Sequence, residues 1–176
     1  MSLIVKHDSF LKKLESLNYN FITNGQKAYN GVSILSKYPL SDITYNLPSY
    51  AEDPQARYIE AWVNIKNKGF RVASVYAPNG NPLNTDKFSY KIKWLESFYM
   101  HSKKLLGYEE LTILGGDYNI CPNSIDAADE GLIIDDAVYH KEARDIFKSA
   151  GARVKDEMVF IGEDIVASAL ETAPSS

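Results

Sequence analysis

Asp117 and Asn119 stand two residues apart just past a short apolar run, Leu111-Thr-Ile-Leu, that closes in Gly115-Gly116. In an extended segment, positions two apart point to the same side, so this carboxylate and this amide can converge beyond a strand end. A carboxylate placed there can hold a hard cation or take a proton from water, and an amide can stabilise charge on a phosphate oxygen. The same residues also suit a capped turn, since Asp and Asn commonly close loops after strands, and this stretch alone favours the turn. Val75-Tyr76-Ala77-Pro78-Asn79-Gly80 offers a second candidate. Tyr76 ends a strand-like run and can present a hydroxyl to a phosphate, although a lone tyrosine more often packs its ring in the core with its hydroxyl at the surface. In Gly25-Gln-Lys-Ala-Tyr-Asn-Gly31, two glycines frame a polar loop whose amides and Lys27 can clamp a phosphate; a plain hairpin loop has the same composition.

The periodicity supplies elements to position these residues. Phe10, Leu11, Leu14 and Leu17 recur at helical spacing over Asp8–Leu17. Tyr19–Thr23 and Gly31–Ser36 read as strands around the Asn24-Gly25 turn, and Ile43–Leu47 as a weaker strand after Pro39. Ile59, Ala61, Val63 and Ile65 alternate across Arg57–Lys66, with a turn at Asn67-Lys68-Gly69 and a return strand over Phe70–Tyr76. The spacing predicts a long helix from Thr85 to Leu106, with Thr85 as cap, Phe88, Ile92, Leu95 and Tyr99 as its apolar stripe, and Gly107 as its stop. His140–Ser149 reads as a further helix before Gly151. The order is an α/β (α+β) layered arrangement with antiparallel hairpins.

Composition narrows the classes. A 45% hydrophobic and 24% charged chain of 176 residues suits a folded domain rather than a disordered one. A formal net charge of −4 argues against non-specific wrapping of nucleic acid, while leaving room for a local basic groove. The single cysteine, Cys121, permits no internal disulfide and no zinc-ligand spacing, which fits a reducing, cytoplasmic setting. No apolar run is long enough for a bilayer, and Met1–Lys6 lacks the apolar core of a signal peptide.

The candidate segments also stand in a familiar order. GQKAYNGVSILSK at 25–37, VYAPNG at 75–80, KFSYKIKWL at 87–95 and GGDYNICPNSID at 115–126 closely resemble successive segments of the exonuclease III family of apurinic/apyrimidinic endonucleases. Arg57 resembles the arginine between the first two, and YHKEARDIFKSAG at 139–151 is similar to a later segment. The resemblance implies part of a four-layered α/β sandwich with two mostly antiparallel sheets flanked by helices. It implies hydrolysis of phosphodiesters in double-stranded DNA at abasic sites and 3′ ends, with Mg²⁺ or Mn²⁺. It implies that Asp117 activates or orients the attacking water, that Asn119 stabilises the transition state, that both shape the metal site, and that Tyr76 stands near the scissile phosphate. Lys27, Asn30, Arg57 and Asn79 fall in segments expected near the DNA backbone. The family's principal metal-ligating Glu and its closing Ser-Asp-His block match nothing here, so the expectation is an incomplete domain over 1–157, low activity for this chain, and a tail at 158–176 outside the resemblance. Unpaired strand edges then favour self-association. A non-catalytic domain that binds DNA or a partner is the competing expectation; action on a lipid or nucleotide phosphodiester is disfavoured by the 25–31 and 87–95 segments.

Overall fold

Alternation along Tyr58–Ile65 (β4) puts Ile59 and Ala61 on one face of a sheet and Tyr58 and Glu60 on the other, all buried. The computed structural model describes residues 11–66, 68–149, 154–155 and 158–159. β4 is central in a four-stranded sheet of order β3-β4-β5-β6, where β3 is Leu40–Tyr45, β5 is Lys68–Tyr76 and β6 is Thr112–Asp117. The first two pairings are antiparallel and β5–β6 is parallel. A parallel pair needs a crossover, and the helix α2, Asp86–Leu106, makes it. Asn20–Asn24 (β1) and Val32–Ser36 (β2) form a separate antiparallel pair after the helical turns of α1 over 11–16.

Ile22, Val32 and Ile34 of the β1–β2 pair bury against Ile59 and Ala61. On the opposite face, Trp94, Leu95 and Phe98 of α2 and Ala143 of α3 (Lys141–Ser149) pack on Tyr58, Ala73 and Val75. The result is a layered sandwich of sheet, sheet and helices. A last short pair joins Val154–Lys155 (β7) to Met158–Val159 (β8). Among the described residues no helix is long and apolar enough to cross a membrane.

Three local expectations change. The third strand begins at Leu40 rather than Ile43, because pairing starts at Pro39, whose carbonyl accepts the Asn64 amide at 2.9 Å; an edge strand tolerates the neighbouring proline. Thr85 occupies the cap position of α2, but its hydroxyl donates to the Pro82 carbonyl at 2.7 Å instead of serving the helix. The buried stripe of α2 is Lys91, Trp94, Leu95, Phe98, His101 and Leu105, rotated from the one read on apolar residues alone. Lys91 and His101 belong to it because each finds polar partners inside. Residues 8–10, Gly151 and the tail beyond 159 lie outside the described residues.

Candidate functional site

Strands β5 and β6 run parallel in a register that sets Tyr76 beside Asp117. Their ends therefore deliver both residues, and the loops that follow them, to the same edge of the sandwich. Gly116 makes the approach possible: its φ is +145°, and a Cβ there would stand 1.9 Å from the Val75 carbonyl oxygen. Beyond it Asn119 turns back in the left-handed region, at φ +48°. Its backbone amide donates to Asp117 Oδ1 at 2.9 Å and its side-chain Nδ2 to Asp117 Oδ2 at 3.1 Å. The same Nδ2 donates to the Ala77 carbonyl at 2.9 Å. Both amide protons of Asn119 are thus engaged, and its Oδ1 meets Asn79 Nδ2 at 3.4 Å. Asp117 itself is exposed, with an oriented carboxylate whose outer lone pairs face solvent.

Arg57 lies on the other side of Tyr76. Its guanidinium stacks over the Tyr76 ring at 4.8 Å and donates from Nη1 to the Tyr76 carbonyl at 3.1 Å, and from Nε to Gln55 Oε1 at 2.8 Å. Gln55 Oε1 also accepts Asn30 Nδ2 at 3.0 Å. An open groove of about 710 Å³ runs alongside, lined among others by Asn30, Gln55, Arg57, Asn79, Tyr29 and Tyr90. The structure thus joins six of the seven expected residues: Asp117, Asn119 and Asn79 form one linked group, and Asn30 and Arg57 connect through Gln55 to Tyr76. Lys27 stands apart, exposed and not among the groove's lining residues.

Sequence reasoning missed the residues that hold this arrangement. Lys91 is fully buried and donates to the carbonyls of Asn79 at 2.9 Å, Asn119 at 2.7 Å and Ala137 at 3.0 Å. Burial pushes its ammonium down to about 8, while the charges of Asp136 and Asp117 oppose the shift. Asn81 accepts the Ala137 amide at 3.0 Å and donates to Asp136 at 2.8 Å. Tyr90 donates to both oxygens of Asp53, 2.8 and 3.0 Å away. Burial raises the Asp53 carboxyl despite that bond, the Gln55 amide and the nearby Arg57 charge. The available signal was position: Lys91 falls at helical spacing from Trp94, Leu95 and Phe98.

A layered α/β sandwich with an Asp, two Asn and a Tyr gathered where parallel strands end defines a hydrolase-like scaffold with its polar site on loops. The chain belongs to the Endonuclease/Exonuclease/phosphatase family, whose model matches residues 5–152. It is 29% identical over 113 residues to an exodeoxyribonuclease III of Haemophilus influenzae, covering 64% of this chain and 42% of that one. It is 28% identical over 123 residues to a DNA-(apurinic or apyrimidinic site) endonuclease of Dictyostelium discoideum, covering 69% and 32%. Among solved structures, it resembles the Neisseria 3′ phosphatase NExo bound to a product DNA hairpin, at TM-score 0.72 and 30% identity, covering 79% of this chain and 52% of that one. An AP endonuclease from Archaeoglobus fulgidus is similar at TM-score 0.71 and 27% identity, with the same coverage. The chain therefore spans about half the length, or less, of the relatives it matches. These relatives are nucleases and phosphatases that act on DNA.

Proposed function

We propose that this chain is a DNA-repair phosphodiesterase that hydrolyses DNA backbone bonds at abasic sites and 3′ ends with Mg²⁺ or Mn²⁺, and that its activity alone is low. The observation that carries this reading is the joined Asp117–Asn119–Asn79 group beside a groove bearing Arg57. Asp117, fixed by two hydrogen bonds from Asn119, has lone pairs free to take the proton of an attacking water. Asn79 donates one amide proton to Asn119, which leaves its second for a phosphate oxygen. The guanidinium donors of Arg57 not used on Tyr76 and Gln55 suit a backbone phosphate in the groove. Asn30 lines the same groove, Tyr76 lies under the Arg57 guanidinium, and Lys27 stands exposed on the loop that carries Asn30.

Members of this family are divalent-metal-dependent nucleases. The donors here are the carboxylate of Asp117 and the amide oxygen of Asn119, oxygen ligands that suit a hard cation retaining several waters. Such an ion would supply positive charge against the phosphate oxygens as the phosphorus becomes five-coordinate. Among the described residues no three His, Cys, Asp or Glu side chains come together as a metal-binding group. One second reading, a domain that binds DNA or a partner without cutting, draws on the same groove and the Arg57 guanidinium.

The direct experiment incubates the chain with duplex DNA carrying one abasic site, and with duplex 3′ ends, in Mg²⁺, Mn²⁺ or EDTA. Slow incision that needs metal, and that drops ~100-fold or more in Asp117→Asn, is the expected result. DNA binding that weakens with salt, without any metal-dependent incision, moves the conclusion to the binding reading. Neither binding nor incision removes both. The open edge of β6, with Leu111 and Ile113 exposed, supports self-association; a monodisperse monomer by sedimentation at micromolar concentration counts against it. The single cysteine suits a reducing setting, which supports a cytoplasmic chain.

A further inference from the structure

The carbonyls of Asn79, Asn119 and Ala137 come from three loops outside the strand pairings; one backbone hydrogen bond, from the Cys121 amide to the Val138 carbonyl at 2.8 Å, links the second loop to the third. One ammonium joins them: Lys91 Nζ uses all three of its donors on these oxygens, at 2.7 to 3.0 Å. Its stem is equally confined. Gly80, at φ +90°, lies so close that a Cβ there would stand 2.6 Å from Lys91 Cδ and 3.2 Å from the Ala137 Cβ. The Asn81 side chain bonds the first loop to the third independently. Lys91 is 0% exposed, so it touches no substrate. Yet two of its three partners are the backbones of residues whose side chains form the Asp117 group, and one of those, Asn119, sits at a positive φ that needs outside support.

We propose that Lys91 is a positioning residue, fixing the Asn79 and Asn119 backbones on helix α2 and so setting where their side chains stand relative to Asp117. The inference rests on the functional reading above for its catalytic consequence, but not for its geometry. A buried charge satisfied by three carbonyls also has a purely structural use, holding loops to the domain. The two differ in what its loss does. Lys91→Met keeps most of the stem and removes the ammonium. A positioning role predicts displaced or broadened NMR signals for the Asn79 and Asn119 side-chain amides. It also predicts ~30-fold or greater loss in kcat on abasic duplex with KM changed less than ~3-fold, since misplacement of a reacting group falls on the chemical step.

Glu60→Gln is the control. It weakens a buried ion pair elsewhere on α2 and lowers stability without touching the site loops, so it leaves those signals and kcat per folded molecule unchanged. If Lys91→Met lowers stability as Glu60→Gln does, with side-chain signals and kcat like the parent, Lys91 is structural only and the proposal fails. If Lys91→Met does not fold, Lys91→Arg carries the test. Its donors lie in one plane and cannot meet all three carbonyls, so the same signals must move, and unmoved signals overturn the proposal. A parent chain that neither binds nor cuts DNA, but whose Asn79 and Asn119 signals move in Lys91→Met, removes the functional reading and leaves the positioning role standing.

Discussion

Helix α2 buries two ionisable side chains on one face, and they are satisfied in opposite ways. Lys91, in the half nearer the site, bonds only to backbone carbonyls of three loops. His101, further along, bonds to a side chain within the sandwich: its Nε2 donates to Glu60 Oε2 at 2.7 Å. Glu60 in turn accepts the Tyr58 hydroxyl and pairs with Arg71 at 3.0 Å, and Arg71 reaches Glu110 at 2.8 Å. The His101 cluster ties strand β4 to strand β5 and helix α2, elements already held by the core, so its loss falls on the fold. The Lys91 cluster gathers three loops that otherwise share only a few hydrogen bonds, through Asn81, Asn119 and the Cys121 amide, so its loss falls on the site. Buried polarity on one helix therefore serves stability at one end and loop geometry at the other.

The largest effect on that contrast comes from Glu60→Ala. It leaves the buried Tyr58 and His101 donors without their shared acceptor and Arg71 with Glu110 alone, a loss of roughly 2–5 kcal/mol. Urea unfolding measures the loss, and a change under ~1 kcal/mol would show that the cluster is not what anchors the helix. The same carboxylate gives a pH signature. Burial raises the Glu60 carboxyl, but the hydrogen bonds from His101 and Tyr58 and the charge of Arg71 outweigh it, so its folded-state pKa lies below the ordinary 4.5. The unfolded chain then binds the proton first. Stability from Glu60 is fully present above the ordinary value and is lost as pH falls below it through the folded value. Comparing unfolding midpoints from pH 6 down to pH 3, Glu60→Gln should flatten that fall relative to the parent. His101, Arg71, Tyr58 and Glu110 are the groups that face this carboxylate, so the flattening isolates its own contribution.

How far the sequence carried the reading follows from the same two clusters. The strands β1, β2, β4, β5 and β6 were legible because period-two alternation and turn residues are local signals. The Asp117–Asn119 pair was legible through the order of its family segments rather than its spacing: the strand ends at Asp117 and Asn119 turns back at φ +48°, the turn that this stretch alone favoured. The stripe of α2 was misread because Lys91 and His101 count as polar in a hydrophobic pattern, and only their partners, at sequence distances of 12 to 46 residues, make them interior. Gln55, which joins Arg57 to Asn30, was invisible for the same reason. Asn119 was legible as a site residue but not in its bonding: the structure commits both of its amide protons, which places the free donor on Asn79 instead.

Gly80→Ala is the next test of the contrast, because it strikes Lys91 without changing any charge. The new methyl must enter a backbone conformation that favours glycine and displace the Lys91 stem. The combined strain is about 1–3 kcal/mol. It should also shift the Asn79 signals, whereas a mutation of similar cost in the His101 cluster should not. Thermal unfolding together with the amide spectrum checks both halves. A stability loss without any change at Asn79 would mean that the first loop holds its shape without the helix.

The smallest effect is expected at Lys27, and it sharpens the site rather than the fold. Arg57 lines the groove with part of its guanidinium unused, so Arg57→Ala removes the donors proposed for a phosphate and the cation stacked on Tyr76. Lys27 is exposed, on the loop whose Gln26, Tyr29 and Asn30 line the groove, but is not itself among the lining residues. If the groove carries the DNA backbone, Arg57→Ala should weaken duplex binding ~10-fold and reduce the steepness of its salt dependence by about one phosphate contact. Lys27→Ala should change affinity less than ~2-fold, because an exposed cation outside the groove contributes only screened attraction. Binding isotherms at several salt concentrations separate the two. Equal losses for both would extend the DNA path from the groove over the exposed side of the loop between β1 and β2, and the Asn30–Gln55–Arg57 chain would then hold that loop to the groove rather than mark the edge of the binding surface.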